Sequence, residues 1–321
     1  MSFLRRHGAR LLILTAAAAF LLAAAALFSF LRAERPELFR KKTEMERSYP
    51  VCVLGVSERS GVISGDKAGI RNVYINWKTS FPGKAVKAIR AAGAVPMVTW
   101  EPYLENPKHD ALLPEIAAGG HDAYIARFAR QSAGAPLYVR FGHEPNSNWY
   151  GWSGAVSRPE VYVAAFRRVR QIFQAQGNST ARFVFSVNSE DVPAKPWNRF
   201  ENYYPGDAYA DVIGIDAFNW GPGLQHWRKW KTPGVMLSPV YERTVKAFPS
   251  KPVFVTETAS CSAGGDKAAW IKDLTGAVQK RFPAVKAVLW FDFNKECDWT
   301  LSSEELRARF YGACDGEQDV A

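Results

Sequence analysis

The chain has 321 residues, 47% of them hydrophobic and 22% charged, which excludes a disordered chain and leaves room for one large domain or two ordinary ones. The formal net charge is +10, and part of the excess lies before residue 50, in Arg5, Arg6, Arg10, Arg32, Arg35, Arg40, Lys41, Lys42 and Arg47. Basic residues there suit anionic lipid headgroups or topology signalling, and no zinc-finger, RRM or helix-turn-helix pattern supports a nucleic-acid partner.

Leu11 to Leu31 is a 21-residue stretch without a charge. That is the length needed to cross ~30 Å of hydrocarbon, and longer than the apolar core of an ordinary signal peptide. Arg5, Arg6 and Arg10 before it predict a cytoplasmic N-terminus and a body held outside the cytoplasmic membrane, in the periplasm or beyond. An uncleaved single-pass anchor is the expectation; a cleaved segment would leave the body secreted. Residues 32–48 are polar and read as a stalk.

Eight apolar runs follow: 51–56, 72–77, 95–100, 137–142, 183–188, 212–218, 253–259 and 287–293. Most are continuous rather than alternating, as strands buried on both faces are. Helix-like patterns fill most gaps, over 84–92, 122–132, 160–176, 239–248, 267–282 and 302–311, while the first gap is short and Gly-rich. Eight strands alternating with helices predict an α/β protein of the (β/α)8 TIM-barrel class. The rival, a doubly wound open sheet, lacks a Gly-rich dinucleotide fingerprint after its first strand. The expected division is a cytoplasmic tail (1–10), an anchor or signal segment (11–31), a stalk (32–48), the barrel (49–315) and a tail (316–321).

Nearly every run ends in polar or aromatic residues: Asn76 and Trp77; Trp100, Glu101 and Tyr103; Arg140, His143 and Glu144; Asn188, Glu190 and Asp191; Asp216, Phe218, Asn219 and Trp220; Glu257; Trp290, Asp292 and Asn294. In a barrel these ends converge on the face that carries chemistry. Tryptophans such as Trp100, Trp149, Trp220 and Trp290 are suited to stack on the C–H faces of sugars. Glycoside hydrolysis needs two carboxylates flanking the bond, and Glu144 and Glu257 are the natural pair, because strands four and seven lie roughly across a barrel. A Glu in the apolar run VFVTETA is costly unless paired or functional. The structural alternative is a Glu257 held by a barrel-interior Arg such as Arg140. The basic-aromatic segment Trp227–Lys231 would face either an acidic polymer or solvent.

The segments VRFGHEPNSNWYGW, GIDAFNWG, PVFVTETAS with GGDKAAWI, and AVLWFDFNKECDW resemble glycoside hydrolase family 26, in that family's order, over about residues 50–315. The resemblance implies a retaining (β/α)8 endo-β-glycanase, with β-1,4-mannan the default substrate and mixed-linkage β-glucan or a bacterial exopolysaccharide as alternatives. It also implies Glu144 as general acid/base, Glu257 as nucleophile, His143 against the reactive sugar, and Trp149 and Trp290 as aromatic floor and wall. Arg140 and Asn219 are candidates to hold Glu257 or a sugar hydroxyl. One departure stands out: the family usually has Tyr after strand six, donating to the nucleophile, and this chain has Phe218. Tyr203, Tyr204 and Tyr209 are the candidate replacements. A non-catalytic or weakly active glycan-binding protein on the same scaffold is the competing function.

Neither a cofactor nor a metal is expected, since no phosphate loop, CxxC or Cys/His zinc spacing is present. Of the four cysteines, Cys261 and Cys297 are expected to join the loops after strands seven and eight, and Cys52 and Cys314 to meet at the opposite face.

Overall fold

The computed structural model describes residues 53–58, 68–222 and 228–312. The expected anchor at 11–31, the stalk, the Cys52–Cys314 pair and Trp227 lie outside the described residues. No helix among the described residues is long and apolar enough to cross a membrane.

Eight parallel strands close into a barrel in sequence order. They are β1 (Val53–Glu58), β2 (Ile70–Asn76), β3 (Val95–Glu101), β4 (Leu137–Phe141), β5 (Ala181–Asn188), β6 (Val212–Asn219), β7 (Val253–Ser260) and β8 (Val285–Asp292). The helices are α1 (Gly83–Ala91), α2 (Leu113–Ala118), α3 (Asp122–Gln131), α4 (Pro159–Ala175), α5 (Pro233–Ala247), α6 (Lys267–Arg281) and α7 (Glu304–Gly312). Two short 3₁₀ turns, Pro196–Asn198 and Phe200–Tyr203, stand where a helix would follow β5.

Helix starts follow local chemistry. Asp266 accepts hydrogen bonds from the Ala268 and Ala269 backbone and caps α6. Thr232 caps α5 and Pro233 occupies its first turn, so the helix begins six residues before the predicted Pro239, which lies within it. The sequence boundary at Pro239 was misplaced because a cap and an N-terminal proline upstream outweigh one missing N–H.

Side chains alternate in and out along each strand, and this sorts the interior into layers. The lowest layer is apolar: Ile70, Met97, Tyr138, Val184, Val212, Phe254, Ala287 and Leu289. Two residues further along β2, β3, β4, β5 and β7 the layer becomes polar. Asn72, Thr99, Arg140, Ser186 and Thr256 are buried and linked by hydrogen bonds, Arg140 Nη1 to Thr99 Oγ1 at 3.1 Å and Thr99 Oγ1 to Asn72 Oδ1 at 2.8 Å among them. The larger apolar core lies outside the barrel, between strands and helices. Gly214 belongs to the polar layer because nothing bigger fits. A Cβ there would stand 2.6 Å from Thr256 Oγ1 and 2.7 Å from Ser186 Oγ.

Candidate active site

One further step up the strands reaches the mouth, where Tyr74, Glu101, Asn188, Asp216 and Glu257 converge. Glu257 gets there through an irregularity. Ile215 pairs with Val255, but Asp216 pairs with Glu257, so β7 carries one extra residue, Thr256. Thr256 and Glu257 consequently both point inward: Thr256 Oγ1 donates to Asp216 Oδ1 at 2.7 Å, and Glu257 reaches β4 and β2. Strict alternation would have turned Glu257 into the helix layer. A bulge that re-aims a side chain is a recurrent device at functional sites.

Glu257 Oε1 accepts from Arg140 Nη1 at 2.5 Å and from the Tyr74 hydroxyl at 2.7 Å. The other arm of the Arg140 guanidinium is ion-paired with Asp216. Asp216 also accepts from Thr256 and, at 3.1 Å, from Ser186 Oγ. A wholly buried cation thus bridges two carboxylates, the arrangement that keeps such charges tolerable away from water. Burial pushes the Asp216 carboxyl up to about 7, against the pull of Arg140.

Glu144 follows β4 in the left-handed region, at φ 51°, with Gly142 at φ 52° before it. A non-glycine residue rarely sits there, and the surroundings hold it. The Glu144 N–H donates to Ser186 O at 2.9 Å, and Trp152 Nε1 donates to His143 O at 2.8 Å. Its carboxyl accepts from Asn188 Nδ2 at 2.8 Å and Trp149 Nε1 at 2.9 Å. Burial, then the charges of Asp216 and Glu257, push Glu144 up to about 8. The main cause of the raised Glu144 is burial rather than the Glu257 charge.

His143 is buried, with Nε2 3.2 Å from the Tyr150 hydroxyl. Burial and the Arg140 and Lys295 charges hold it well below the usual imidazole range, which keeps the ring neutral. Glu101, on β3, is a fourth carboxylate of the mouth beside Glu144, Asp216 and Glu257, pushed up to about 7 by burial and Glu257.

Of the residues singled out from the sequence, Arg140, His143, Glu144, Trp149 and Glu257 therefore gather at one mouth. Trp220 is half-buried on its rim, edge-on to Trp299 with ring centroids 4.9 Å apart and with Arg228 over its face. Three others do not belong there. Trp100 is fully buried, stacked between Phe128 and Trp77, because Thr99 and Glu101 take the inward positions of β3. Trp290 likewise points out of the barrel, against Trp270 and Phe310, while its neighbour Leu289 fills the interior. Asn219 binds Ser260 Oγ and the Lys231 N–H, and so ties loops together rather than holding Glu257.

The replacement tyrosines also turn elsewhere. Tyr203 donates to Asn198, Tyr204 donates to Asp207, and the Tyr209 hydroxyl pairs with Gln171. The hydroxyl on Glu257 comes from Tyr74, which sequence reasoning missed. Its signal was the polar-apolar alternation Asn72-Val73-Tyr74-Ile75-Asn76, which puts Tyr74 on the same face as two asparagines. Cys261 and Cys297 form the expected disulfide between the β7 and β8 loops, with Cα atoms 6.0 Å apart.

A closed (β/α)8 barrel with two glutamates at its mouth, one buried with its carboxyl pushed up and one held by an arginine, is the layout of a glycoside hydrolase. Residues 122–228, about a third of the chain, match the model of glycosyl hydrolase family 26. It is similar to Endoglucanase H of Acetivibrio thermocellus, at 34% identity over 251 residues. The match takes in 75% of this chain and 27% of that protein, so the chain spans about a quarter of that relative's length. Among solved structures it is similar in fold to a β-mannanase of Bacteroides ovatus, with a TM-score of 0.59 and 16% identity over 83% of this chain and 88% of that one. An endo-β-1,4-mannanase of Cellulomonas fimi gives a TM-score of 0.59 at 17% identity, over 90% of this chain and 73% of that one.

Proposed function

We propose that this protein is a retaining endo-β-glycanase in which Glu144 is the general acid/base and Glu257 the nucleophile. The observation that carries the proposal is the division of labour between the two carboxylates. Glu144 is buried and pushed up to about 8, so it holds a proton at neutral pH. Glu257 is delivered by the β7 bulge onto Arg140 and Tyr74. Glu144 gives its proton to the glycosidic oxygen as Glu257 bonds to the anomeric carbon and the leaving group departs. The resulting ester removes the Glu257 charge, one of those that raise Glu144. The pKa of Glu144 then falls, and it can take a proton from the water that opens the ester. His143, neutral and beside Tyr150, and Trp149, next to Glu144, are suited to the reactive sugar.

The 34% identical relative is named an endoglucanase, which supports a β-linked glucan as the first substrate to test. β-1,4-Mannan, the default from the family resemblance, and bacterial exopolysaccharide are the other arms of a glycan panel. The test is release of reducing ends by the purified protein and by E257Q, with the anomer of the first product read by NMR. Cleavage at wild-type rate by E257Q, or an inverted product, would sink the proposal. Binding without cleavage would make the protein a glycan-binding one on a hydrolase scaffold.

We also propose that the barrel works outside the cytoplasmic membrane, tethered through residues 11–31. The uncharged 21-residue stretch after three arginines supports this, and so does the Cys261–Cys297 disulfide, which needs an oxidising compartment. Recovery of the protein in the soluble cytoplasmic fraction with both thiols reduced would overturn it.

A further inference from the structure

We propose that Tyr74 is the positioning residue that fixes which oxygen of Glu257 attacks and that assists the second half of the reaction; this rests on Glu257 being the nucleophile. Both donors to Glu257, the Tyr74 hydroxyl at 2.7 Å and Arg140 Nη1 at 2.5 Å, fall on Oε1. Among the described residues no donor reaches Oε2. The carboxylate is thereby oriented with one oxygen engaged and the other open to the anomeric carbon.

The direction of the Tyr74 hydroxyl is set by rings on several sides. Phe293 lies 5.9 Å from the Tyr74 ring, His143 6.3 Å and Phe291 6.5 Å, all edge-on. Burial and the Glu257 charge hold the phenol well above its usual range, so it stays a donor throughout the working pH range. Phe218, on the far side of the Phe291 ring at 5.4 Å, brings no hydroxyl. The donor therefore comes from β2 instead of β6.

The two steps use this hydrogen bond unequally. In the first, the Oε2–C1 bond forms as the C1–O bond to the leaving group breaks, and the Glu144 proton goes to the leaving oxygen. Negative charge leaves the carboxyl, and Oε1 becomes the carbonyl oxygen of the ester. In the second, water adds to C1, its proton passes to Glu144, and the Oε2–C1 bond breaks with its electron pair returning to the carboxylate. Charge then reappears on Oε1, where Tyr74 and Arg140 stabilise it. A donor on Oε1 favours departure of the carboxylate, so its loss slows deglycosylation more than glycosylation.

The test is Y74F, which keeps the ring and removes the hydroxyl, assayed on the dinitrophenyl β-glycoside of the disaccharide unit of the polymer that the wild type cleaves. The expected result is a fall in kcat of about 10- to 100-fold, the loss of one hydrogen bond to a charged group. KM should fall with it, and a burst of dinitrophenol should appear because the glycosyl-enzyme accumulates. A second measurement, the reactivation rate of enzyme trapped with a fluoro-sugar, should slow by the same factor. Wild-type kcat without a burst would overturn the inference, as would a rise in KM at unchanged kcat, which would make Tyr74 a substrate contact. E257Q separates this from the broader reading: if E257Q cleaves the polymer at wild-type rate, the nucleophile assignment itself has failed, whatever Y74F does.

Discussion

Replacing Arg140 by Met tests whether the mouth is held together by charge. Arg140 is fully buried, and its guanidinium is the countercharge of both Asp216 and Glu257. Met fills much of the same volume but leaves two carboxylates facing each other without a cation. Removing one partner of a buried ion pair costs about 3–5 kcal/mol, mostly for the charge left behind. In a domain of this size each kcal/mol lowers Tm by roughly 2–4 °C, so the loss at neutral pH should be on the order of 10 °C. The pH dependence gives the sharper test. Without the pull of Arg140 the Asp216 carboxyl, already raised by burial, binds its proton still more tightly folded than unfolded, so its folded pKa lies further above the unfolded value near ~4. The variant is then least penalised below that pH and loses stability as pH rises through neutrality. Unfolding curves of wild type and R140M from acid to pH ~8 should therefore diverge upward, and R140M/D216N/E257Q, with no charge to bury, should regain more than half of the loss. A penalty independent of pH, or a triple variant no better than R140M, would refute the argument and point to lost packing instead.

Three further outcomes are expected. N188A removes a donor that favours the charged form of Glu144, so the alkaline limb of kcat/KM, expected near 8 in the wild type, should move to higher pH; a limb that stays put would detach Glu144 from that ionisation. W100A should cost about 3–5 kcal/mol of stability and leave KM of the folded protein within about twofold, because Trp100 packs on Phe128 and Trp77 and not on substrate; a large KM effect at unchanged stability would return it to the cleft. Removing the disulfide with C261S/C297S should cost about 3–4 kcal/mol for a loop of 36 residues, measured by denaturant unfolding; no loss would mean the β7 and β8 loops are held by other contacts.

Much of the fold was legible because the signals are local. Eight buried runs separated by helix-forming segments leave few topologies, and the polar endings of those runs marked the working face before any pairing was known. Glu144, Glu257, His143 and Arg140 were visible as polar residues inside or just after apolar segments, where a carboxylate or guanidinium without a purpose would be too costly. What the sequence alone could not decide was direction. Trp100 and Glu101 are neighbours on one strand and cannot both face inward, but the sequence does not say which does; the closed barrel turned Glu101 in and Trp100 out. Trp290 went the same way, because Leu289 was needed in the apolar layer. The bulge at Thr256 depends on the pairing of β6 with β7, which lies in no local pattern, and without it Glu257 would have faced the helices. Tyr74 stands 183 residues from the carboxylate it holds, so only closure of the barrel brings the two together. Composition and periodicity determined that there would be a barrel with a charged mouth; tertiary pairing, which fixes register and side-chain parity, decided which residues line it.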